Sequence, residues 1–395
     1  MKAGHVQPLW AGHPWVFKQA IERVDQGATS GSEVLVIDPH GKILGRGLYS
    51  PKSAIAVRLF TQHGIQPIDA DLVRTRVEKA VALRLAHGLP NPEPGVETTG
   101  FRLIHGEGDG LPGLIVDVFG GTLVVQLGTA GLKRLEEAVF DALQAVCEPG
   151  AILDRTPKSI AQQEGFTPNE EPLRVVRGEA PDALRFHERG LAFELPLELG
   201  QKTGFYFDQR PLRSRIESLS RGSRVLDACS YVGAIALSAA RGGASEVVAV
   251  DTSAPALEAG QACAEKNQLN VRFEASEAAK AFRQAAADGG YDIVVCDPPK
   301  LASRRKSRDK ALNNYRKLAA GAVGATKIGG LVVFCSCSAA ISLEMLQRAL
   351  ALGARDSGRR ATVVDRSFQG PDHPVVAAFP EGLYLKGLLA RVDDL

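Results

Sequence analysis

Short runs of alternating apolar and polar residues, broken by turns, occupy the start of the chain. His13-Pro14-Trp15-Val16-Phe17, Glu33-Val34-Leu35-Val36-Ile37-Asp38, the run 42–49 and Ile55-Ala56-Val57-Arg58-Leu59 carry this pattern, with Pro39-His40-Gly41 as a tight connection. They predict a small β-barrel. Over 68–86 the apolar positions Leu72, Val73, Val77, Ala80, Val81, Leu83 and Leu85 return to a helical spacing and predict a bridging helix. Pro90, Pro92 and Pro94 then mark a loop. Strand patterns at 102–104, 113–119, 122–127 and 151–154, with a helix over 132–146, predict a central α+β insert.

After Gly204 strands alternate with longer helical stretches, the pattern of a parallel, doubly wound α/β sheet. Its strands read Arg224-Val225-Leu226-Asp227, Val247-Val248-Ala249-Val250-Asp251, 291–297 and Leu331-Val332-Val333-Phe334-Cys335, with helices over 234–241 and 309–328. Three domains follow: 1–75, 76–190 and 191–395. Acidic residues close three of those four strands, at the edge where open α/β sheets bind ligands.

Composition narrows the function. The 395 residues carry 47 Lys plus Arg against 45 Asp plus Glu, a formal charge of +2, so any nucleic-acid affinity must come from local clusters rather than from a polycationic chain. Six cysteines without a C-x-x-C pair fit reduced thiols in a cytoplasm better than a disulfide scaffold or a zinc site. The opening residues lack the apolar run of a signal peptide, and no long uncharged apolar stretch occurs; a cytoplasmic protein without a membrane partner is expected.

The turn Asp227-Ala228-Cys229-Ser230-Tyr231-Val232-Gly233 joins a strand to a helix but offers one glycine, where a dinucleotide fingerprint needs three. This disfavours NAD and suits S-adenosylmethionine, which has no phosphates. An acid at the end of the next strand can accept the ribose hydroxyls, and Asp251 stands there, followed by Thr252 and Ser253 at the start of a helix. In Asp297-Pro298-Pro299-Lys300 two prolines stiffen the exit from a strand and aim the Asp297 carboxylate outward, a geometry suited to a flat base. The basic run 304–310 downstream reads either as a solvated loop or as a phosphate contact. Tyr206 and Gln209, beside Phe205 and Phe207, are candidates to line the cofactor pocket.

Cys337, in Phe334-Cys335-Ser336-Cys337-Ser338, lies where the last of those strands opens toward the same edge. Cys147, Cys263 and Cys335 read as small buried hydrophobes, and Cys296 points to the other side of the sheet. A thiolate activated at an electropositive edge near a helix N-terminus, with Ser342 capping that helix, can add to carbon 6 of cytosine and render carbon 5 nucleophilic. Asp297 is then the group placed to act at N3.

These motifs resemble those of the bacterial 23S ribosomal RNA large-subunit methyltransferase I family. The resemblance covers nearly the whole chain and rests on His13-Pro14-Trp15-Val16-Phe17, Gly106-Glu107-x-Asp109-Gly110-Leu111-Pro112-Gly113, the stretch from Lys202 to Arg210, Ser230-Tyr231-x-Gly233, Asp251-Thr252-Ser253, Asp297-Pro298-Pro299-Lys300, Ser336-Cys337-Ser338, Asp372-His373-Pro374, and Pro380 through Gly387. It implies a PUA-type RNA-binding barrel, a central α+β domain and a Rossmann-like class I methyltransferase domain. It also implies S-adenosylmethionine as cofactor, 23S ribosomal RNA as partner, 5-methylcytosine as product, Cys337 as nucleophile and Asp297 beside the base. The cofactor would be held by Tyr206, Gln209, Asp227, Tyr231, Gly233, Asp251, Thr252, Ser253, Ser276, Asp297 and Pro298. No metal is implied, and a homodimer stays open. Where the family has an Asp-Asp pair after the third strand, this chain has Ser276-Glu277, so the hydroxyl of Ser276 would have to substitute at the adenine end.

Two rival readings keep the fold and change the chemistry. One is an RNA purine methyltransferase, which needs no thiolate; the other is a non-catalytic RNA-binding ribosome-assembly factor. Cys337 discriminates against the first, and the set Tyr231, Gly233, Asp251, Asp297 and Cys337 argues against the second.

Overall fold

A computed structural model describes residues 1–62, 64, 66–199, 203–301 and 308–395. The contacts divide the chain into two compact units. The first comprises Met1–Gly190, Gly200–Phe205 and Pro371–Gly382; the second comprises Leu191–Leu199, Tyr206–Gly370 and Leu383–Leu395.

The first unit begins with helix α1 (Gln7–Trp10) and strands β1 (Trp15–Phe17), β2 (Glu33–Ile37), β3 (Ile43–Tyr49) and β4 (Ile55–Gln62). The strands form an antiparallel sheet in the order β1-β4-β3-β2. Leu9, Val16, Val36, Leu44, Val57 and Leu59 share its core. Gly47 sits at a register shift between β3 and β4, and a Cβ there would come within 2.3 Å of the Arg58 carbonyl oxygen. Only glycine lets the two backbones approach so closely.

Helix α2 (Ala70–Ala86) follows, capped by Asp69, whose side chain accepts from the Leu72 amide. Strands β5 (Gly100–His105), β6 (Leu114–Phe119) and β7 (Thr122–Leu127), helices α3 (Ala130–Arg134) and α4 (Glu136–Cys147), β8 (Ala151–Asp154), α5 (Lys158–Glu164), β9 (Arg174–Gly178) and β10 (Ala183–Glu188) complete the order of elements before residue 190. β5 to β9 build a five-stranded sheet, parallel only between β7 and β8. Val73 and Val77 of α2 join Val139, Phe140 and Leu143 of α4 in the core over this sheet. The helix expected over 132–146 is in fact two, because the backbone leaves helical geometry at Leu135.

Ion pairs lie inside this unit. Arg84, 1% exposed, meets Asp109 in a bidentate pair at 2.5 and 2.8 Å and also donates to the carbonyls of Arg102 and Asp372. Arg102 in turn pairs with buried Asp117. The Asp372 carboxylate accepts from the Arg102 amide, which fixes the late segment Pro371–Gly382 to the unit.

The second unit holds β11 (Leu191–Pro196), α6 (Arg210–Leu219), β12 (Arg224–Ala228), α7 (Ala234–Arg241), β13 (Glu246–Asp251), α8 (Ala254–Lys266), β14 (Arg272–Ala275), α9 (Ala278–Ala287), β15 (Tyr291–Cys296), α10 (Arg308–Ala325), β16 (Thr326–Ser336), α11 (Leu343–Asp356), β17 (Arg359–Ser367) and β18 (Lys386–Asp394). Seven strands form one sheet in the order β14-β13-β12-β15-β16-β18-β17. β14 through β16 run parallel, and β18 is antiparallel to both β16 and β17. The order reverses between β12 and β15, so a crevice is expected at their carboxyl ends. Leu226, Val248, Val294, Val332, Phe334 and Leu388 of the sheet pack with Tyr315, Leu346 and Leu350 of α10 and α11. The helix expected to reach 328 stops at Ala325. Thr326 already pairs with Tyr291 of β15, and its hydroxyl donates to the Ala322 carbonyl. Among the described residues, no helix is long and apolar enough to cross a membrane.

Candidate active site

Three strand ends of the second unit bring their residues to one edge. β12 delivers Asp227, and the turn behind it runs through positive φ at Cys229 (62°), Tyr231 (55°) and Gly233 (68°). Non-glycine residues rarely adopt this conformation, and strain of this kind is found where structure serves a site. Gly233 precedes α7, and a Cβ on it would come within 2.7 Å of the Phe273 ring. The turn is held by Asp251 at the end of β13: Oδ2 accepts from the Tyr231 amide at 2.8 Å and Oδ1 from the Ser253 amide at 2.9 Å. An ionised carboxylate retains lone pairs beyond these two bonds, enough for a pair of hydroxyl donors.

Asp227 is fully buried, and its Oδ2 accepts from the Ala236 amide at 3.1 Å. Burial, reinforced by the negative charges of Asp297 and Asp251, pushes its carboxyl up to about 8. Its Oδ1 and the hydroxyl of Ser230 are buried without a partner among the described residues. A cluster of carboxylates with orphaned acceptors favours a cationic, hydrogen-bonding guest.

Asp297 follows β15 and its amide donates to the Ala228 carbonyl at 3.3 Å, which ties it to the end of β12. Its Oδ2 accepts from the Gln209 side-chain amide at 2.8 Å. Gln209 also bonds buried Cys335, whose thiol burial raises well above its ordinary value. Tyr206 packs edge-on against Tyr231, ring centroids 5.3 Å apart. Burial and then the charges of Tyr231, Asp208, Asp297 and Cys337 raise its phenol. Phe207 is buried, as its alternation with Tyr206 predicts, and Phe205 is buried in the first unit.

Cys337 stands just past the end of β16 and is half-buried. Its neighbours are pinned: the Tyr315 hydroxyl bonds Ser336 Oγ at 2.8 Å and Ser338 Oγ at 3.4 Å. Ser342 caps α11, its side chain accepting from the Met345 amide. Cys229 is half-buried, its thiol pushed up to about 12 by burial and three carboxylates, and Cys296 lies in the core.

Some expected residues stand apart from these bonds. Thr252 is exposed, and Ser276 meets Asp251 through its backbone, its amide donating to the Asp251 carbonyl while its hydroxyl makes a 3.4 Å bond to the Glu277 carbonyl. Pro298 is buried. Residues 304–307 of the basic run and Lys202 lie outside the described residues. The electropositive edge expected at Cys337 takes a different form: Asp227, Asp251 and Asp297 are grouped at the strand ends, and a cation comes from Lys386, which the sequence reading quoted without a role. Asp208, also given no role, accepts from the Tyr384 hydroxyl at 2.6 Å. Both links join the site to the last strand's end, and only the pairing of β16 with β18 reveals the first.

A doubly wound sheet with three carboxylates grouped at the strand ends beside its switch point is the arrangement of a class I methyltransferase. Residues 101–391 match the family described as S-adenosylmethionine-dependent methyltransferase, and residues 1–62 match the PUA-like domain. Ribosomal RNA large subunit methyltransferase I of Shigella boydii serotype 4 is 36% identical over 98% of this chain and 98% of its own. The protein of that description from Escherichia coli O157:H7 is 36% identical with the same coverage. The chain belongs to the ribosomal RNA large subunit methyltransferase I family. Among solved structures, a methyltransferase complexed with SAH superposes with a TM-score of 0.83 at 19% identity over 98% of this chain and 97% of the other, a likeness of fold. An S-adenosylmethionine-dependent methyltransferase from Streptococcus mutans gives 0.83 at 18% identity, over 98% of each chain. The cofactor is S-adenosylmethionine, and the orphaned acceptors of Asp227 and Ser230 with the carboxylate cluster fit a sulfonium compound bearing an ammonium group.

Proposed function

We propose that this protein methylates carbon 5 of a cytosine in 23S ribosomal RNA through a covalent adduct at Cys337. The observation that carries the reading is the placement of two groups on adjacent parallel strands. Cys296 pairs with Phe334, so Asp297 and Cys337 leave β15 and β16 at the same sheet edge.

In this mechanism the Cys337 thiolate adds to carbon 6 of the extruded base, forming a sulfur–carbon bond and moving an electron pair toward carbon 5. Asp297 hydrogen-bonds N3, which favours that addition, the shared proton returning to the carboxyl when the cysteine leaves, and Gln209 holds the Asp297 carboxyl. Bound S-adenosylmethionine would supply a methyl group on a positive sulfur, an electrophile that carbon 5 can take, the sulfur keeping the bonding pair and leaving as the neutral thioether S-adenosylhomocysteine. A base then removes the carbon 5 proton, the ring electrons return, and the Cys337 thiolate leaves. Asp251 and the backbone of Tyr231 and Ser253 form the cradle proposed for the ribose, with Asp227, Gly233, Thr252, Ser276, Tyr206 and Pro298 around it. Ribosomal RNA is the proposed partner, on the strength of the relatives' name and the PUA-like segment, and the cytoplasm the proposed location.

The test is transfer of labelled methyl to large-subunit RNA by wild type and Cys337→Ala, with the product nucleoside identified by mass spectrometry. The reading expects 5-methylcytosine from wild type and none from the variant, with S-adenosylmethionine binding retained. A methylated purine, or turnover by Cys337→Ala, overturns it.

A further inference from the structure

Lys386 opens β18 directly opposite Ser336, the last residue of β16. It is 5% exposed, and a buried ammonium is costly unless its donors are satisfied. Its Nζ donates to the Ser338 carbonyl at 3.0 Å and to the Ile341 carbonyl at 2.8 Å. Those two carbonyls belong to the turn that leaves Cys337, and the Ile341 amide closes the turn by donating to Ser338 at 3.1 Å. With Tyr315 gripping Ser336 and Ser338 from α10, the nucleophile is bracketed from both directions by buried side chains.

We propose that Lys386 is a positioning residue for Cys337, its ammonium fixing the turn behind the nucleophile and favouring the ionised sulfur. Two of its three N–H donors go to these carbonyls, and its charge interacts with that of Cys337. The interaction is visible from the lysine's side. Burial pushes Lys386 down to about 8, and the Cys337 charge opposes that shift. By reciprocity, a cation stabilised by a thiolate stabilises that thiolate equally. The Cys337 charge also bears on Tyr206 and Tyr315, both raised and so neutral at ordinary pH, with Asp297 bearing on both phenols. Lys386 therefore works against the carboxylate at the neighbouring strand end.

The proposal deepens the covalent reading and rests on it, but its test needs no RNA. Alkylation of the full-length protein by iodoacetamide is followed across pH 5 to 10 by mass spectrometry of the Cys337 peptide, in wild type, Lys386→Met and Lys386→Gln. Glutamine keeps an amide donor for the turn and removes the charge. The expected result is an alkylation midpoint at least about one pH unit higher in both variants, with the other cysteines unchanged. An unchanged midpoint in a variant that still binds S-adenosylmethionine overturns the proposal. Should both variants fail to fold, the Lys386 midpoint is followed by NMR on protein with ¹³C-labelled lysine. It should be lower in Cys337→Ser than in wild type, and equality would refute the coupling. A raised alkylation midpoint alongside a methylated purine product would retain Lys386 and discard the cytosine reading; an unmoved one alongside 5-methylcytosine would do the reverse.

Discussion

In the second unit the Gln209 side-chain amide donates to the Asp297 carboxylate across 2.8 Å, joining positions 88 residues apart in the chain. A net side-chain hydrogen bond contributes about 0.5–1.5 kcal/mol, so losing it from a reacting geometry costs roughly two- to tenfold in rate. Gln209→Leu is expected to lower methyl transfer by that factor while S-adenosylmethionine affinity in calorimetry stays within about threefold. Equal losses in both would instead place Gln209 on the cofactor.

Asp251 accepts from two backbone amides, those of Tyr231 and Ser253. Asp251→Ala strands both and releases a turn held at positive φ, so cofactor binding is expected to weaken by at least about tenfold. Calorimetric titration decides it, and undiminished affinity would remove Asp251 from the proposed ribose cradle.

The buried carboxyl of Asp227 gives stability a slope with pH. Its folded-state value is raised to about 8, above the ordinary carboxylate range near 4. The contribution is therefore fully present below pH 4 and lost as pH rises toward 8, because the folded chain binds the proton that the unfolded chain has released. Melting temperature of the ligand-free protein should fall between pH 5 and 8, and Asp227→Asn, neutral throughout, should flatten that fall. A parallel decline in wild type and variant would show that Asp227 is not its source.

Arg84 has no comparable tolerance for change. Replacing it with Met leaves Asp109 charged and buried and frees the carbonyls of Arg102 and Asp372. Breaking one side of a buried pair typically costs about 3–5 kcal/mol, so Arg84→Met is expected to unfold at markedly lower denaturant concentration. A midpoint near that of wild type would mean that water or a rearranged neighbour satisfies Asp109.

Local signals explain what could be read from the amino-acid sequence. Asp227, Tyr231 and Asp251 sit at or beside strand ends, where an apolar run stopping at an acid is visible without knowing the partners. β9 and β10 carry no such signal, because Arg174, Arg177, Arg185 and His187 interrupt their apolar residues. The pattern over 309–328 overruns the helix because Thr326 and Ile328 suit a strand as well as a helical face, and the pairing of Thr326 with β15 decides between them. Lys386 was legible only as part of a motif: its place behind Cys337 depends on a strand pairing across some fifty residues, about which neither local stretch carries a pattern.

The segment Pro371–Gly382 gives the molecule an uncommon life history on the ribosome. Domains that occupy one stretch of chain can fold as soon as that stretch emerges. Here the first unit waits for residues 371–382, made after most of the second unit, and Asp372 must arrive before Arg84 and Arg102 have all their partners. The completion of the two units is thus interleaved along the chain, and a chain cut short before residue 371 would leave both unfinished.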